Sequence, residues 1–204
     1  SELAKYVASV VAKLIRSKND TKTPVILGLP TGSTPLGVYR ELIRLHNEEQ
    51  LDFSNVVTFN LDEYWPMDPD SIHSYHKFMR VNFFDHVNVK PENIHIPRGE
   101  IAAEDVDAYC EEYERTIEKF GGLDLQLLGI GRSGHIGFNE PGSARNSLTR
   151  LVNLDPVTRR DAASGFFGED NVPHHAITMG VGSILAAKKI IIMALGEHKA
   201  SVVK

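Results

Sequence analysis

The stretch PVILGLPTGSTPLGVYRELIRL, residues 24–45, decides the fold. Its first six residues are apolar enough to predict a strand that is buried on both faces. A tight turn over residues 30–34 follows, and then a helix through about Glu48, with Thr34 predicted as its N-cap and Pro35 as its first residue. Strand, tight loop and helix in this order form the repeating unit of parallel α/β proteins.

The same alternation continues along the rest of the chain. Further helices are predicted over residues 3–15, 74–84, 103–120 and 181–187, with a short helix before Phe166. Further strands are predicted over residues 56–61, near Ile94, and over residues 123–129, 150–154, 176–179 and 190–196. This order predicts an α/β protein with an open, mostly parallel sheet and helices on both faces, of the Rossmann-like kind. Ligands of such sheets bind beyond the carboxyl ends of the strands, so chemistry is expected in the loops there.

The composition is that of an ordinary globular protein. The 204 residues are 42% hydrophobic and 24% charged, with no linker or low-complexity segment, which predicts a single domain over residues 1–204. A helix begins near Ala200 just before the sequence stops, so we expect this domain to lack its C-terminal elements. The net charge of -5 argues against nucleic acid or an anionic membrane as the main partner. One cysteine cannot form an internal disulfide, and no signal sequence or membrane span is recognisable, so we expect a cytoplasmic location.

The first loop, residues 31–35, has the features of an anion site. Three hydroxyl side chains, free backbone N–H groups and the positive end of a helix dipole meet there. An N-capped turn that binds nothing explains this loop equally well. The loop is not of the Walker type that binds nucleoside triphosphates, because no lysine follows it, and a phosphorylated small molecule stays open as its ligand.

Two adjacent acids, Asp62 and Glu63, stand where the second predicted strand stops. Partial loss of water over the ligand crevice would raise the pKa of a carboxyl group there and make it a useful base. A solvated acidic turn is the alternative, and the pair taken by itself favours that alternative.

The glycine-rich loop over residues 129–142 is the most informative. Its first glycines spell the dinucleotide fingerprint G-x-G-x-x-G, but no helical periodicity follows them, which argues against a nicotinamide cofactor. His135 and Glu140 lie five residues apart on this loop, an arrangement in which a carboxylate can orient a histidine for proton transfer. A histidine that is hydrogen-bonded only for loop structure is the alternative.

Other candidate residues give weaker signals. Lys199, after the last strand, is either a cation for a bound phosphate or a solvated lysine. His73 and His76, and the adjacent His174 and His175, lack a third and a fourth ligand at suitable spacing. No metal site is therefore predicted.

Four motifs taken together resemble the glucosamine-6-phosphate deaminase family. They cover residues 27–35, 59–64, 134–141 and 196–200, in collinear order over essentially the whole chain. The Phe-Asn-Glu-Pro continuation after the loop histidine distinguishes the chain from the phosphogluconolactonases, which are similar in fold. The resemblance implies the fold of that family and the conversion of glucosamine 6-phosphate and water to fructose 6-phosphate and ammonia. It also implies a small sugar phosphate as the partner and no metal or organic cofactor, and it leaves room for a homo-oligomer.

The resemblance implies a role for each matching residue. Asp62 would be the base that moves the C2 proton to C1 in an aldose-to-ketose isomerisation. His135, oriented by Glu140, would assist opening of the sugar ring, and Gly129 would line the sugar site. The phosphate would be held by Thr31, Gly32, Ser33, Thr34 and Lys199.

Two positions depart from the family pattern. Ser133 stands where the family usually has an aspartate, so the negative charge that would raise the basicity of the histidine is missing. Gly165 stands where the family places a phosphate-binding arginine, and the candidates to replace it are Arg132, Arg159 and Arg160. These departures keep two alternatives open. The protein could be a sugar-phosphate-binding or regulatory module with weakened or absent turnover, or a deaminase or isomerase of another amino-sugar phosphate.

Overall fold

The computed structural model describes residues 1–203. Its helices are α1 (Glu2–Asp20), α2 (Leu36–Glu49), α3 (Tyr75–Asn82), α4 (Val106–Lys119), α5 (Pro156–Ala162), α6 (Val181–Leu185) and α7 (Ala200–Val203). Its strands are β1 (Val25–Leu29), β2 (Val56–Asn60), β3 (Asp62–Trp65), β4 (Ile94–His95), β5 (Leu125–Gly129), β6 (Arg150–Asn153), β7 (His175–Thr178) and β8 (Ile190–Met193). Short 3-10 turns include Ala163–Phe166 after α5 and Glu197–Lys199 before α7. Every predicted helix and strand is found with its ends shifted, and β3 is an addition.

Five strands form a parallel sheet in the order β4-β2-β1-β5-β8, which confirms the predicted fold class. The central strand, β1, is buried along its whole length. A side chain at Gly28 of β1 would place its Cβ 2.0 Å from the amide oxygen of Gln126 on the neighbouring strand. Glycine therefore gives the buried Gln126 side chain the space to lie against the middle of the sheet.

Helices cover both faces of this sheet, as predicted. Successive side chains of a strand point to opposite faces, so Leu27 and its neighbour Ile26 enter two different clusters of buried residues. The cluster around Leu27 joins the sheet to α1 and α2 and includes Val7, Val11, Ile15, Val38 and Leu42. The cluster around Ile26 joins the sheet to α4 and α6 and includes Tyr113, Ile117 and Ile184.

Helix α2 begins one residue later than predicted, and Thr34 is not its N-cap. Pro35 is the N-cap, because its carbonyl accepts the first helical hydrogen bond, from the N–H of Tyr39 at 2.9 Å. Among the described residues, no side chain caps this end of the helix. The Thr34 side chain lies beside Gly129 instead. This shift turns a predicted capping hydroxyl toward the end of β5.

A second, antiparallel sheet in the order β3-β7-β6 was not expected from the sequence. Its first strand starts directly after β2, with Leu61 as the only residue between them. Leu61 is tied to both sheets, because its N–H donates to the carbonyl of Leu29 and its carbonyl accepts from the N–H of Met179. The predicted strands over residues 150–153 and 175–178 therefore belong to this second sheet and do not join the parallel one.

Candidate active site

A cleft of about 560 Å³ opens at the carboxyl ends of β1, β2 and β5. It lies where ligands of parallel sheets bind. Of the predicted site residues, all but Glu140 line it: Thr31, Gly32, Ser33, Thr34, Asp62, Gly129, His135 and Lys199. Glu140 lies behind the ring of His135, with 3.4 Å between its Oε1 and the ring Nδ1.

The loop between β1 and α2 offers hydrogen-bond donors to this cleft. Within residues 1–203, no acceptor is found for the backbone N–H groups of Gly32, Ser33 and Thr34. The 14-residue helix α2 begins immediately after them, so its positive end faces the same region. Lys199 reaches the cleft from the turn before α7, where its Nζ donates to the carbonyl of Ile130 at 2.8 Å. Free donors, a helix dipole and a lysine together suit a phosphate.

Asp62 is the first residue of β3 and is only 6% exposed. Burial, together with the negative charge of the adjacent Glu63, raises its pKa from the ordinary value of 3.8 to about 8. The solvated acidic turn favoured by the sequence alone is therefore wrong. Burial has produced a carboxyl group whose pKa suits proton transfer near neutral pH.

Glu63 is fully buried and has a structural role that the sequence did not reveal. Its carboxylate accepts from the backbone N–H groups of Tyr75 at 2.9 Å and His76 at 3.1 Å, and it contacts the His76 ring at 3.0 Å. These groups form the amino end of α3, where the Ser74 side chain also accepts from the N–H of Lys77. Glu63 thereby joins α3 to β3 while it keeps a negative charge next to Asp62.

The loop over residues 131–143 places His135 within a cluster of hydroxyl and carboxylate groups. The Ser133 hydroxyl lies 2.9 Å from His135 Nδ1 and donates to Glu140 Oε2 at 2.7 Å. The Thr158 hydroxyl on α5 donates to Glu140 Oε1 at 2.6 Å. Thr158 lines the cleft and was missed in the sequence, since nothing local marks one threonine of a short polar helix.

Gly131 sets the position of the histidine ring. A Cβ built on Gly131 would lie 2.1 Å from His135 Nε2, so any larger residue would force the ring out of place. The loop is closed by a hydrogen bond from the Gly131 N–H to the His135 carbonyl at 2.8 Å. The fingerprint glycines therefore shape a histidine site and open no helix.

Arg132 is the one of the three candidate arginines that lines the cleft. Its guanidinium pairs with Asp161 of α5 at 3.0 Å. Arg159 instead donates to the carbonyls of Glu169 and Val172, away from the cleft, and Arg160 is exposed and not part of the lining. The side chain missing at Gly165 would meet nothing within 4 Å of its Cβ.

Two kinds of feature are absent from the part of the chain that the structure describes. Within residues 1–203, no group of three or more His, Cys, Asp and Glu side chains is placed to hold a metal ion. Over the same residues, no helix combines the length and apolar character that crossing a bilayer requires.

Comparison with known proteins identifies close relatives. A family model described as glucosamine-6-phosphate isomerases/6-phosphogluconolactonase matches residues 1–204. The chain is 50% identical over 203 residues to a glucosamine-6-phosphate deaminase of Thermoanaerobacter sp. (strain X514), covering 100% of this chain and 78% of that protein. It is 45% identical over 203 residues to glucosamine-6-phosphate deaminase 1 of Bacillus subtilis (strain 168), covering 100% of this chain and 81% of that protein.

Solved structures give a consistent result. A structure described as a monomeric glucosamine-6-phosphate deaminase matches with a TM-score of 0.93 and 45% identity, over 99% of this chain and 81% of that one. A 6-phosphogluconolactonase from Thermotoga maritima matches with a TM-score of 0.77 over 100% of this chain and 84% of that one. Its sequence identity is 19%, so the second match is a likeness of fold alone.

Proposed function

The chain belongs to the glucosamine-6-phosphate isomerase/6-phosphogluconolactonase family, and on that premise we propose that it converts glucosamine 6-phosphate and water to fructose 6-phosphate and ammonia. The observation that carries this proposal is the cleft itself. It combines a donor-rich loop and a lysine with a buried carboxyl group and a histidine, at the carboxyl ends of the strands. The loop and the lysine suit the phosphate of an amino-sugar phosphate, and the carboxyl group and the histidine suit proton transfer at its reacting carbons.

The phosphate is bound by the loop that precedes α2. The N–H groups of Gly32, Ser33 and Thr34 and the hydroxyls of this loop surround the phosphate oxygens, with the positive end of α2 behind them. Lys199 adds a positive charge, and Arg132 adds a second one that replaces the arginine missing at Gly165. Holding the phosphate at one end of the cleft fixes where the sugar carbons lie.

Asp62 acts as the base of the isomerisation. In its ionised form it removes the proton from C2 of the open-chain sugar and delivers it to C1. One proton leaves the amine nitrogen and one adds to O1, so that the C1 aldehyde becomes an alcohol and the C2 amine an imine. Water then adds to C2 and ammonia leaves, which gives the ketone of fructose 6-phosphate. A pKa of about 8 makes the carboxylate a stronger base than an ordinary aspartate and still lets it release the proton.

His135 assists the preceding opening of the sugar ring, with Glu140 orienting it. The imidazole ring of His135 lines the cleft together with Gly129 and Asp62. No residue in these steps requires a metal or an organic cofactor.

The deciding experiment incubates the full chain with glucosamine 6-phosphate and follows ammonia and fructose 6-phosphate together. We expect equal amounts of both products, and an Asp62→Asn variant that folds and yields almost none. Lack of product above the Asp62→Asn control would rule out the proposed reaction.

Ser133 and Gly165 differ from the family pattern, and these differences favour a second candidate function, that of a sugar-phosphate-binding or regulatory module. Its mark in calorimetry would be saturable binding of glucosamine 6-phosphate by a protein without turnover. A panel of other amino-sugar 6-phosphates in the same product assay tests the third candidate, an enzyme for a related substrate.

Self-association stays a prediction that the cleft does not require. All the proposed site residues lie on one chain, and one similar structure is described as monomeric. Light scattering on active protein, with activity measured across a dilution series, tests whether a second copy contributes.

A further inference from the structure

Ser133 lies between the ring of His135 and the carboxylate of Glu140. Its Oγ is 2.9 Å from His135 Nδ1 and 2.7 Å from Glu140 Oε2. The direct distance from Nδ1 to Glu140 Oε1 is 3.4 Å, longer than that of a strong charge-assisted hydrogen bond. The carboxylate is therefore connected to the ring by two hydrogen bonds of normal length that meet at the serine hydroxyl.

The number of hydrogens on these groups determines which group donates in each hydrogen bond. A hydroxyl has one hydrogen to donate, and an ionised carboxylate only accepts. Ser133 therefore donates to Glu140, and its oxygen can then only accept from His135 Nδ1, which must carry the hydrogen. The second carboxylate oxygen already accepts from Thr158 at 2.6 Å, which holds the carboxylate in this orientation.

The opposite edge of the imidazole ring carries the second nitrogen, Nε2. Within residues 1–203, no protein hydrogen bond reaches His135 Nε2, and that atom lies against Gly131 at the lining of the cleft. In the neutral ring with the hydrogen on Nδ1, Nε2 carries the lone pair. The basic nitrogen is then the one for which the described residues offer no hydrogen-bond partner.

We propose that Ser133 is a positioning residue that relays Glu140 to His135 and fixes the ring as its Nδ1–H tautomer. This inference rests on the proposed function for its chemical consequence. In ring opening, the proton of the anomeric hydroxyl passes to Nε2 as the C1–O5 bond breaks and C1=O1 forms, and Nε2 then gives the proton to O5. Glu140, acting through Ser133, stabilises the imidazolium between these two transfers. The serine thus takes the orienting place that a carboxylate holds in the family pattern.

Nitrogen NMR of protein labelled with ¹⁵N-histidine tests the tautomer without any turnover. The His135 signal is identified by its absence from the spectrum of a His135→Gln variant. We expect the unaltered protein to show the Nδ1–H tautomer at neutral pH. We expect Ser133→Ala to show a mixture or the Nε2–H tautomer, and Ser133→Thr, which keeps the hydroxyl, to restore the Nδ1–H form.

The matched control is Ser143→Ala. Ser143 belongs to the same loop and donates to the backbone carbonyl of Glu140 at 2.7 Å, but it does not contact the ring. Its loss should leave the His135 tautomer unchanged. Melting curves of all variants establish that each one is folded.

Kinetics add a second readout. We expect Ser133→Ala to lower kcat by at least about tenfold, part of what acid–base catalysis contributes, while KM changes much less. A Nε2–H tautomer in the unaltered protein, or an unchanged tautomer in Ser133→Ala, would overturn the inference. Absence of turnover in the unaltered protein would instead overturn the proposed function, and the NMR result would still decide the role of Ser133.

Discussion

At Asp62 the fold keeps a carboxyl group that it makes costly to ionise. The unfolded chain loses this proton near the ordinary pKa of 3.8, whereas the folded protein holds it up to about pH 8. The stability that comes from the protonated form is present at low pH and is lost progressively as the pH rises between these values. Asp62 should therefore be a site where function and stability conflict.

We predict that Asp62→Asn stabilises the protein and that the gain grows with pH. Between about pH 5 and pH 8, the difference in unfolding free energy should widen by up to about 1.4 kcal/mol per pH unit, because asparagine does not ionise. Urea unfolding at several pH values measures it. A constant or shrinking difference would show that Asp62 is not held protonated by the fold.

The neighbour Glu63 offers a second test at the scale of one residue. We predict that Glu63→Gln moves the rise of kcat/KM with pH to lower pH, because it removes the negative charge that disfavours ionisation of Asp62. Burial, the larger cause, stays in place, so the pKa of Asp62 should remain above that of an ordinary aspartate. Glu118→Gln, a change of an exposed glutamate on α4, is the matched control. A profile that moves to higher pH would contradict this account.

Among the elements, the short helix α5 contributes to the site although it is not stable by itself. It has seven residues, too few to be stable alone, yet it carries Thr158 and Asp161 to the cleft. Its N-cap is Asp155, whose side chain accepts from the N–H of Val157 at 2.7 Å. Asp155 therefore fixes the start of the helix that brings these two residues to the cleft.

We predict that Asp155→Ala weakens the protein by about 1 kcal/mol and lowers kcat as α5 loosens. Asp155→Ser should retain most of both, since serine is also a good N-cap. Thermal melts and steady-state kinetics on the two variants supply the comparison. Equal losses in both variants would mean that the cap is not what holds α5.

The 3-10 turn after α5 allows a gain of function to be tested. We predict that Gly165→Arg lowers KM for the sugar phosphate by about tenfold, the effect of one hydrogen bond to a charged group. The open space around Gly165 accommodates the side chain. Gly165→Met adds similar bulk without charge and serves as the control. Equal KM values for the two variants would show that this position does not face the phosphate.

Over the whole molecule, the parallel sheet was predictable and the antiparallel sheet was not. Strands such as β1 are continuous apolar runs bounded by turn residues, a signal that lies within a few residues of sequence. Strand β3 begins with Asp62 and Glu63, residue types that are rare in strands, and its partners lie more than a hundred residues away. Its existence depends on pairing that no local pattern encodes.

The site divides in the same way. The rule that ligands bind at strand ends places Asp62 and the loop of Thr31 correctly, because it needs only the order of elements. The link from Ser133 to Glu140 depends on the exact path of a glycine-rich loop. Sequence spacing does not give such a path, so from the sequence alone Ser133 indicates only the loss of a negative charge.

Gly28 and Gln126 lie in close contact on neighbouring strands in the middle of the sheet. We predict that Gly28→Ala destabilises the protein by about 1–3 kcal/mol, because its Cβ would overlap the Gln126 amide in the middle of the sheet. Adding Gln126→Ala should recover at least about 0.5 kcal/mol of that loss. Urea midpoints of the two single variants and the double variant complete the cycle, and simple additivity would place the strain elsewhere.

Leu61 has a consequence for how such a protein can change over evolutionary time. Because this one residue is hydrogen-bonded to Leu29 on one side and Met179 on the other, the two sheets share a fixed reference point, and Asp62 is the next residue along. Substitutions in the loops and in α5 can change the lining of the cleft while Asp62 keeps its position. The shape of the cleft can therefore change between related proteins while the buried carboxyl group stays at the same place.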